Sequence, residues 1–488
     1  MKKNGNAREI ILQSFEVPNK ICNEEELFFR ILGKVKYEKD ILILEKNTML
    51  STDTYMNFFD VETWSKYTGL KKWKFTIEAQ GYGKIRLYYS KSKRLIKEIE
   101  LKTEKFVKQS VEFETTMAPE MIYFEVKSED FLYIKKAVYM ANVEKQYIND
   151  IHISLVICTY KREHEISQIL HQFRESLFFD KKSDLYGKLS ARIVDNNSAL
   201  KIEECKYMKL YHNPNQGGSG GFTRGIVESR RDSEVYNISH MVFMDDDVQL
   251  MNETLYRLYA FLLVLHSDYH NRTIAGRMFR MDKKHIQYTA SEIWNKGDII
   301  HIAENQNMCI KDNLVTMNKG VGEYGGWWFD CFPMTFIKNN TPLPFFLHCD
   351  DVEYGLRHGG VPILLNGIQV WHETYEYRMS PTVRYYDVRN TLIVNTIYGY
   401  FENETDAWSW WKAKMDNCYC YEILIAMNDY LKGIKYFIQK NKKKRILKIS
   451  MKLSRPFLPI LVKILNIRFR KIGKPIFESY QEYFPRKK

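Results

Sequence analysis

The residues that read most directly as chemistry are three consecutive carboxylates, Asp245, Asp246 and Asp247, set immediately after the apolar run Met241-Val-Phe-Met244. A short apolar run closed by acids is the pattern of a buried strand whose C-terminal end opens into a site. Open α/β sheets bind ligands at that edge. Side chains alternate along an extended segment, so Asp245 and Asp247 are expected on one side, with Asp246 facing away. Hard divalent cations choose carboxylate oxygens. A cation held there can neutralise the diphosphate of a nucleotide-activated sugar, which makes metal-dependent sugar transfer the working expectation.

Two later runs end the same way. Phe345-Phe-Leu-His-Cys349 leads into Asp350 and Asp351, with Glu353 two residues on. Asp351 or Asp350 could deprotonate an acceptor hydroxyl. Glu353 could bind such a hydroxyl or hold Arg357 one helical turn away. Ile368-Gln-Val-Trp371 ends in His372, whose imidazole could complete a mixed site with the carboxylates.

These side chains need a scaffold, and the chain from about residue 151 supplies one. Ile153–Cys158 reads as a buried strand followed by Thr159-Tyr-Lys-Arg162, a helix is expected over 165–178, and Ala191-Arg-Ile-Val194 reads as a second strand ending in Asp195. Strand, helix, strand with polar strand ends predicts a parallel sheet. Arg162 is offered to a phosphate or uracil, and Asp195 to a base or ribose. In the stretch 213–225, Gly217, Gly218, Gly220 and Gly221 follow Asn215. Such glycines let a backbone approach a ligand closely, and the stretch lacks the ending of a phosphate loop. It reads as a loop preceding a helix over 222–229. Gly325-Gly326 precede Trp327 and Trp328. Two adjacent tryptophans on a glycine-flanked loop are hard to bury together, so one is expected to serve as a sugar platform.

Residues 1–148 carry short runs of alternating polarity at close spacing, which predict an all-β domain closed as a sandwich, with Gly81-Tyr-Gly83 as a hairpin turn and a helical interruption near 58–67. Its expected role is support or contact between copies of the chain. Residues 149–380 form the α/β domain. Residues 381–488 read as helical, with a basic tail.

A chain of 488 residues calls for more than one core. Its formal net charge is +13. From Leu431 to Lys488 there are 18 Lys or Arg against two acids, so that segment carries +16 and the remainder about −3. Basicity confined to a tail, with apolar residues at 457–465 beside it and Pro459 as an expected kink, fits an anionic membrane surface. It argues against nucleic acid, which would need charge along a site. The eight scattered cysteines have no zinc-like spacing and read as reduced thiols of a cytosolic protein. The N-terminus leads into no apolar signal core, and no apolar run reaches spanning length.

Taken together, Thr159-Tyr-Lys-Arg162, Asn215-Gln-Gly-Gly-Ser-Gly-Gly-Phe222, Asp245-Asp-Asp247, Gly325-Gly-Trp-Trp328, Asp350-Asp-Val-Glu-Tyr-Gly-Leu-Arg357 and Trp371-His372 resemble glycosyltransferase family 2, and within it the galactofuranosyltransferases that extend bacterial galactofuranose chains. The resemblance implies a GT-A fold between an N-terminal sandwich and a helical C-terminus. It implies a UDP-galactofuranose donor and a glycan or glycolipid acceptor at the inner face of the cell membrane. It places Mn2+ or Mg2+ on Asp245, Asp247 and His372, and makes Asp351 the general base. Arg162 and Asp195 would hold UDP, with Asn215, Gly217, Gly218 and Asp246 beside them. Asp350, Trp327, Trp328 and Glu353 would meet the acceptor. Two departures stand out. His348-Cys349 occupies the place where a tryptophan commonly precedes the paired acids, and the C-terminal region is short for a polymerising member. UDP-galactopyranose, UDP-glucose or a rhamnose nucleotide are the rival donors, and a non-catalytic carbohydrate-binding protein is the rival class.

Overall fold

The structure, a computed structural model, describes residues 7–38, 40–115, 119–317, 320, 322–374, 380–418, 420–439 and 458–483. The N-terminal domain is β-rich. Eight strands join into one hydrogen-bonded set around the long strand Ile122–Glu144. One part of that strand pairs with Met49–Ser51, and the other with Ala7–Ser14. Lys72–Tyr89 pairs with it from Lys74 to Tyr89, and its 18 residues alternate strictly in burial, the period a one-sided core requires. Gly81-Tyr-Gly83 is therefore not a hairpin turn. The strand passes straight through it, with irregular register at Ala79/Gly81 and Gly81/Gly83. Gly81 has φ of +120°, and a Cβ there would overlap the Phe131 carbonyl. The glycines mark a bulge, where an extra residue bends the ladder. The helix near 58–67 is Val61–Thr68, whose first turn is capped by the Asp60 carboxylate accepting from Thr63 N–H at 3.1 Å.

The central sheet has six strands in the order Met208–His212, Leu189–Asp195, Ile153–Thr159, His240–Asp245, Phe329–Pro333 and Ile274–Ala275. The first four are parallel, and Phe329–Pro333 runs antiparallel to the acidic strand. Register fixes the active edge. Asp195 lies opposite Thr159 on one side and His212 on the other, and Asp245 lies opposite Cys158. All four parallel strands thus end at one level, as ligand sites of open α/β sheets require.

A smaller sheet carries the histidine. Gln369–His372 pairs in parallel with Arg277–Arg280. Reciprocal backbone bonds of 2.8 Å between Gln249 and Trp371 tie it to the chain just beyond the acids. His372 is thereby brought beside Asp247 although 125 residues separate them.

The glycine stretch is helical rather than a loop: the helix spans Gly217–Tyr236. A Cβ at Gly221 would overlap Cys158 Sγ, one at Gly225 would overlap Val156, and one at Gly217 would overlap the Phe346 carbonyl. Spaced by four, these glycines form one face. They let the helix lie directly on the first strand of the sheet and against residue 346.

The C-terminal region contains the helices Pro381–Ile397, Glu404–Cys418, Tyr421–Tyr430, Gly433–Gln439 and Leu458–Gln481. They share a core with Phe345, Phe346, Cys349 and Val352 of the second acidic block, so this region packs on the site and is more than a tail. Pro459 is the second residue of the described helix Leu458–Gln481, and the proline in its interior is Pro475. The run Lys442-Lys-Lys-Arg445 lies outside the described residues. All eight cysteines are free thiols.

Candidate active site

Asp245 closes its strand and Asp247 stands two residues on. With His372 they place ligand atoms within 4.8 Å of one another. His372 Nε2 lies 3.0 Å from Asp247 Oδ1 and 3.6 Å from Asp245 Oδ2, and the imidazole is fully buried. Burial pushes the Asp245 carboxyl up to about 7; the His372 imidazole pulls it down, and the neighbouring Asp247 and Asp246 push it further up. Two carboxylates and one imidazole are a fitting donor set for a borderline-hard divalent ion such as Mn2+, while Mg2+ prefers oxygen alone.

Arg162 reaches the same acids. Its Nη1 lies 3.0 Å from Asp246 Oδ1 and 2.5 Å from Asp247 Oδ2. Asp246 is buried and shares this arginine nitrogen with Asp247, so the alternation expected from the sequence does not set it apart from its neighbours. Asp195 sits at the strand edge, but both carboxylate oxygens accept backbone N–H groups: Asn197 on one, Ala199 and Leu200 on the other, each at 2.7 Å. It shapes the loop after its strand. Asn215 Oδ1 accepts from Gly217 N–H at 3.1 Å and so starts the glycine helix. Gly218 lies against the Asp350 carboxylate.

The second acidic block opens the helix Asp350–His358. Asp350 accepts from Ser219 Oγ at 3.0 Å, which ties this helix to the glycine helix. Burial pushes the Asp351 carboxyl well above the usual range; the charges of Asp350 and Glu292 add to that, and the Val352 N–H opposes it. A carboxylate so raised is a stronger base.

Three expectations for the acceptor side need correction. Trp327 and Trp328 are both buried. Trp327 packs among Phe222, Phe243 and Tyr354 with centroids 4.8, 5.0 and 5.6 Å away, and Trp328 Nε1 donates to the Gly276 carbonyl at 2.8 Å. The paired glycines permit what looked sterically awkward, since a Cβ at Gly326 would overlap the Trp328 ring. Neither ring offers a free face. Glu353 is fully buried and takes the second of its two foreseen roles. Its oxygens accept from Arg357 at 3.0 and 2.5 Å, and Tyr398 Oη donates to it at 2.8 Å.

Other residues at the site were not foreseen. Asp330 is buried on the antiparallel strand, and neither carboxylate oxygen has a hydrogen-bond partner among the described residues. Burial raises its carboxyl well above the usual range, with Asp351 adding to the shift. Its signal was available, because Trp327-Trp-Phe-Asp330 is another apolar run closed by an acid. Glu292, with His301 Nδ1 at 3.0 Å, belongs to a hairpin that no sequence pattern marked.

A parallel sheet with acids and a histidine converging beyond its strand ends, and a carboxylate on the adjacent helix, defines a GT-A nucleotide-sugar domain. Residues 154–323 match the family model Glycosyl transferase family 2, and residues 33–142 match Galactofuranosyltransferase 2 N-terminal. The chain thus carries a family 2 glycosyltransferase domain, preceded by a domain similar to the galactofuranosyltransferase 2 N-terminal type. It is similar to galactofuranosyltransferase GlfT2 of Mycolicibacterium smegmatis, 22% identical over 72% of this chain and 58% of the relative. To the same protein of Mycobacterium tuberculosis it is 21% identical, with the same coverage. The chain therefore spans a little under three-fifths of the length of these curated relatives. A solved family 29 carbohydrate-binding module overlaps 28% of this chain and 92% of its own at 13% identity, with a TM-score of 0.20, too slight to bear on the fold.

Proposed function

We propose that this chain is an inverting, metal-dependent transferase that moves galactofuranose from UDP-galactofuranose to a hydroxyl of a growing, lipid-linked bacterial surface glycan. The observation that carries the reading is the pairing of two unlike acidic groups at one sheet edge. Asp245 and Asp247 converge with His372, while Asp351 stands apart on a helix, with its carboxyl raised. The similarity to two galactofuranosyltransferases supports the donor.

Asp245, Asp247 and His372 would hold Mn2+, which supplies charge neutralisation for the departing diphosphate. Arg162 is placed to exchange its carboxylate partners for a donor phosphate. Asp351 takes the acceptor proton as that oxygen attacks the anomeric carbon, help worth roughly 10²–10⁴-fold in rate. The sugar–phosphate bond breaks on the opposite face, and UDP leaves with the bonding electrons. Product analysis with a panel of UDP-galactofuranose, UDP-galactopyranose, UDP-glucose and a rhamnose nucleotide tests the donor. Exclusive use of another sugar would replace it. Asp351→Asn separates a transferase from a carbohydrate-binding protein: transfer is lost while UDP still binds.

The same reading places the protein at the inner face of the membrane. Among the described residues, no helix is long and apolar enough to cross a membrane. The helix Leu458–Gln481 exposes Ile460, Ile464 and Ile467 on the face that also carries Lys463, Arg470, Lys471 and Lys474. Apolar residues among cations suit an anionic lipid surface. Flotation with phosphatidylserine vesicles, with and without residues 440–488, tests this; equal binding rejects it.

A further inference from the structure

The backbone that delivers Asp350 and Asp351 is held in an unfavourable shape. Phe346, His348 and Cys349 have φ of 76°, 63° and 62°. None is glycine, and the left-handed region crowds a Cβ against the backbone. Such a stretch persists only where its surroundings over-determine it. Cys349 in this conformation is also the residue from which the helix Asp350–His358 starts, its carbonyl accepting from Glu353 N–H at 2.9 Å. The directions of the two carboxylates follow from those three residues.

What holds them comes from the C-terminal region. Asn390, fully buried in the helix Pro381–Ile397, donates its two amide hydrogens to the carbonyls of Leu347 at 2.7 Å and His348 at 2.8 Å, with the Phe345 carbonyl 3.3 Å from the same nitrogen. Arg389 Nη2 donates to the Phe345 carbonyl at 2.8 Å, and its Nε donates to Asn390 Oδ1 at 2.9 Å, fixing which way the amide faces. The Phe346 ring stacks on Tyr386 of the same helix at 5.0 Å. From the other side, the helix starting at Gly217 lies against the Phe346 carbonyl, a contact only glycine permits.

We infer that Asn390, oriented by Arg389, is a positioning residue for the transfer step: it clamps the left-handed backbone of 345–349 and so sets where the Asp351 carboxylate stands. The inference rests on the reading of Asp351 as the general base. The donor side is built on other elements, the ends of the parallel strands and the smaller sheet that carries His372. Loss of the clamp therefore acts on transfer to the acceptor and leaves donor binding in place. A displacement of about 1 Å at a reacting group can cost roughly 10²-fold.

The test uses the full chain with Mn2+, UDP-galactofuranose and an alkyl galactofuranosyl disaccharide. In Asn390→Ala, kcat for transfer is expected to fall by about 10²-fold, while UDP affinity and the slow hydrolysis of the donor by water stay at wild-type values. Adding Cys349→Gly to Asn390→Ala is expected to restore part of kcat, because glycine adopts positive φ without strain. A residue that only stabilised the fold would not produce that rescue or that split. Should Asn390→Ala not fold, Asn390→Ser leaves a smaller gap and is read in the same way. Transfer at the wild-type rate in a folded variant, or a parallel loss of UDP binding, overturns the inference. If the wild-type protein transfers from no nucleotide sugar, the functional reading fails first and takes the clamp with it.

Discussion

Binding of Mn2+ alone is expected to depend on pH, in a direction the geometry fixes. Without metal, burial holds the Asp245 carboxyl at about 7, far above a free aspartate, and the nearby acids add to that despite His372. A metal ligand must be deprotonated, so below about 7 the cation has to displace a proton and above it does not. The folded-state value is raised, so the proton is bound more firmly than in an ordinary carboxylate. Affinity is therefore full above neutrality and falls as the pH drops through 7. For one competing proton the loss is tenfold per unit, so moving from about pH 8 to about pH 6 should weaken binding by roughly tenfold, about 1.4 kcal/mol. Calorimetric titration of Mn2+ into the protein in a non-coordinating buffer, without nucleotide, measures this and the accompanying proton release. Asp245→Asn should bind more weakly at both pH values, and with a flatter dependence. Equal affinity at both pH values, or tighter binding at the lower one, would refute the assignment of Asp245 as a ligand.

Arg162→Met removes a cation that competes for Asp247 at 2.5 Å. Calorimetry should show several-fold tighter binding of Mn2+ alone and weaker binding of UDP, and a loss of both would mean the arginine organises the loop instead. Arg357→Met leaves the fully buried Glu353 carboxylate without its bidentate partner; thermal or urea unfolding should report a loss of about 3–5 kcal/mol, typical of a broken buried pair. Gly221→Ala drives a methyl group into Cys158 Sγ. It should cost about 1–3 kcal/mol in the same unfolding assays, and Cys158→Ala in the same chain should recover much of it.

The donor side was legible because its signals are local. Three of the four parallel strands show as apolar runs, each of which leads into a polar residue, and a parallel sheet brings those ends to one level; Met208–His212, with Lys209 inside it, gave no such signal. Asp245, Asp247, Arg162 and Asp195 could be placed on that edge from the sequence. Whether a side chain faces a ligand or its own loop was not legible, and Asp195, spent on three backbone N–H groups, shows why: the choice depends on φ and ψ two to five residues on. The glycine stretch misled for another reason. Glycine density suggests a loop, but spacing carries the information, and Gly217, Gly221 and Gly225 recur every four residues along one helical face. Adjacent tryptophans misled because the residue that makes room for Trp328 is Gly326, within the same motif.

The acceptor side resisted reading because no single element makes it. Asp351 is aimed by left-handed residues that sequence does not announce, and these are pinned by Asn390 from a region whose composition suggested only helices and a basic tail. The two sides meet directly at Ser219 Oγ and Asp350, where the glycine helix and the base-bearing helix share one hydrogen bond. That arrangement separates what each part of the chain can change. Under the proposed function, substitutions at the strand ends should alter how the nucleotide and cation are held. Under the same proposal, substitutions in the C-terminal helices should reach Asp351 through the backbone of 345–349 and alter transfer. His348 and Cys349 belong to that backbone, and their carbonyls are occupied by Asn390 and Glu353. Their backbone serves first to set the angle of Asp351, so a bulkier residue here should alter the rate before it alters which acceptor is chosen.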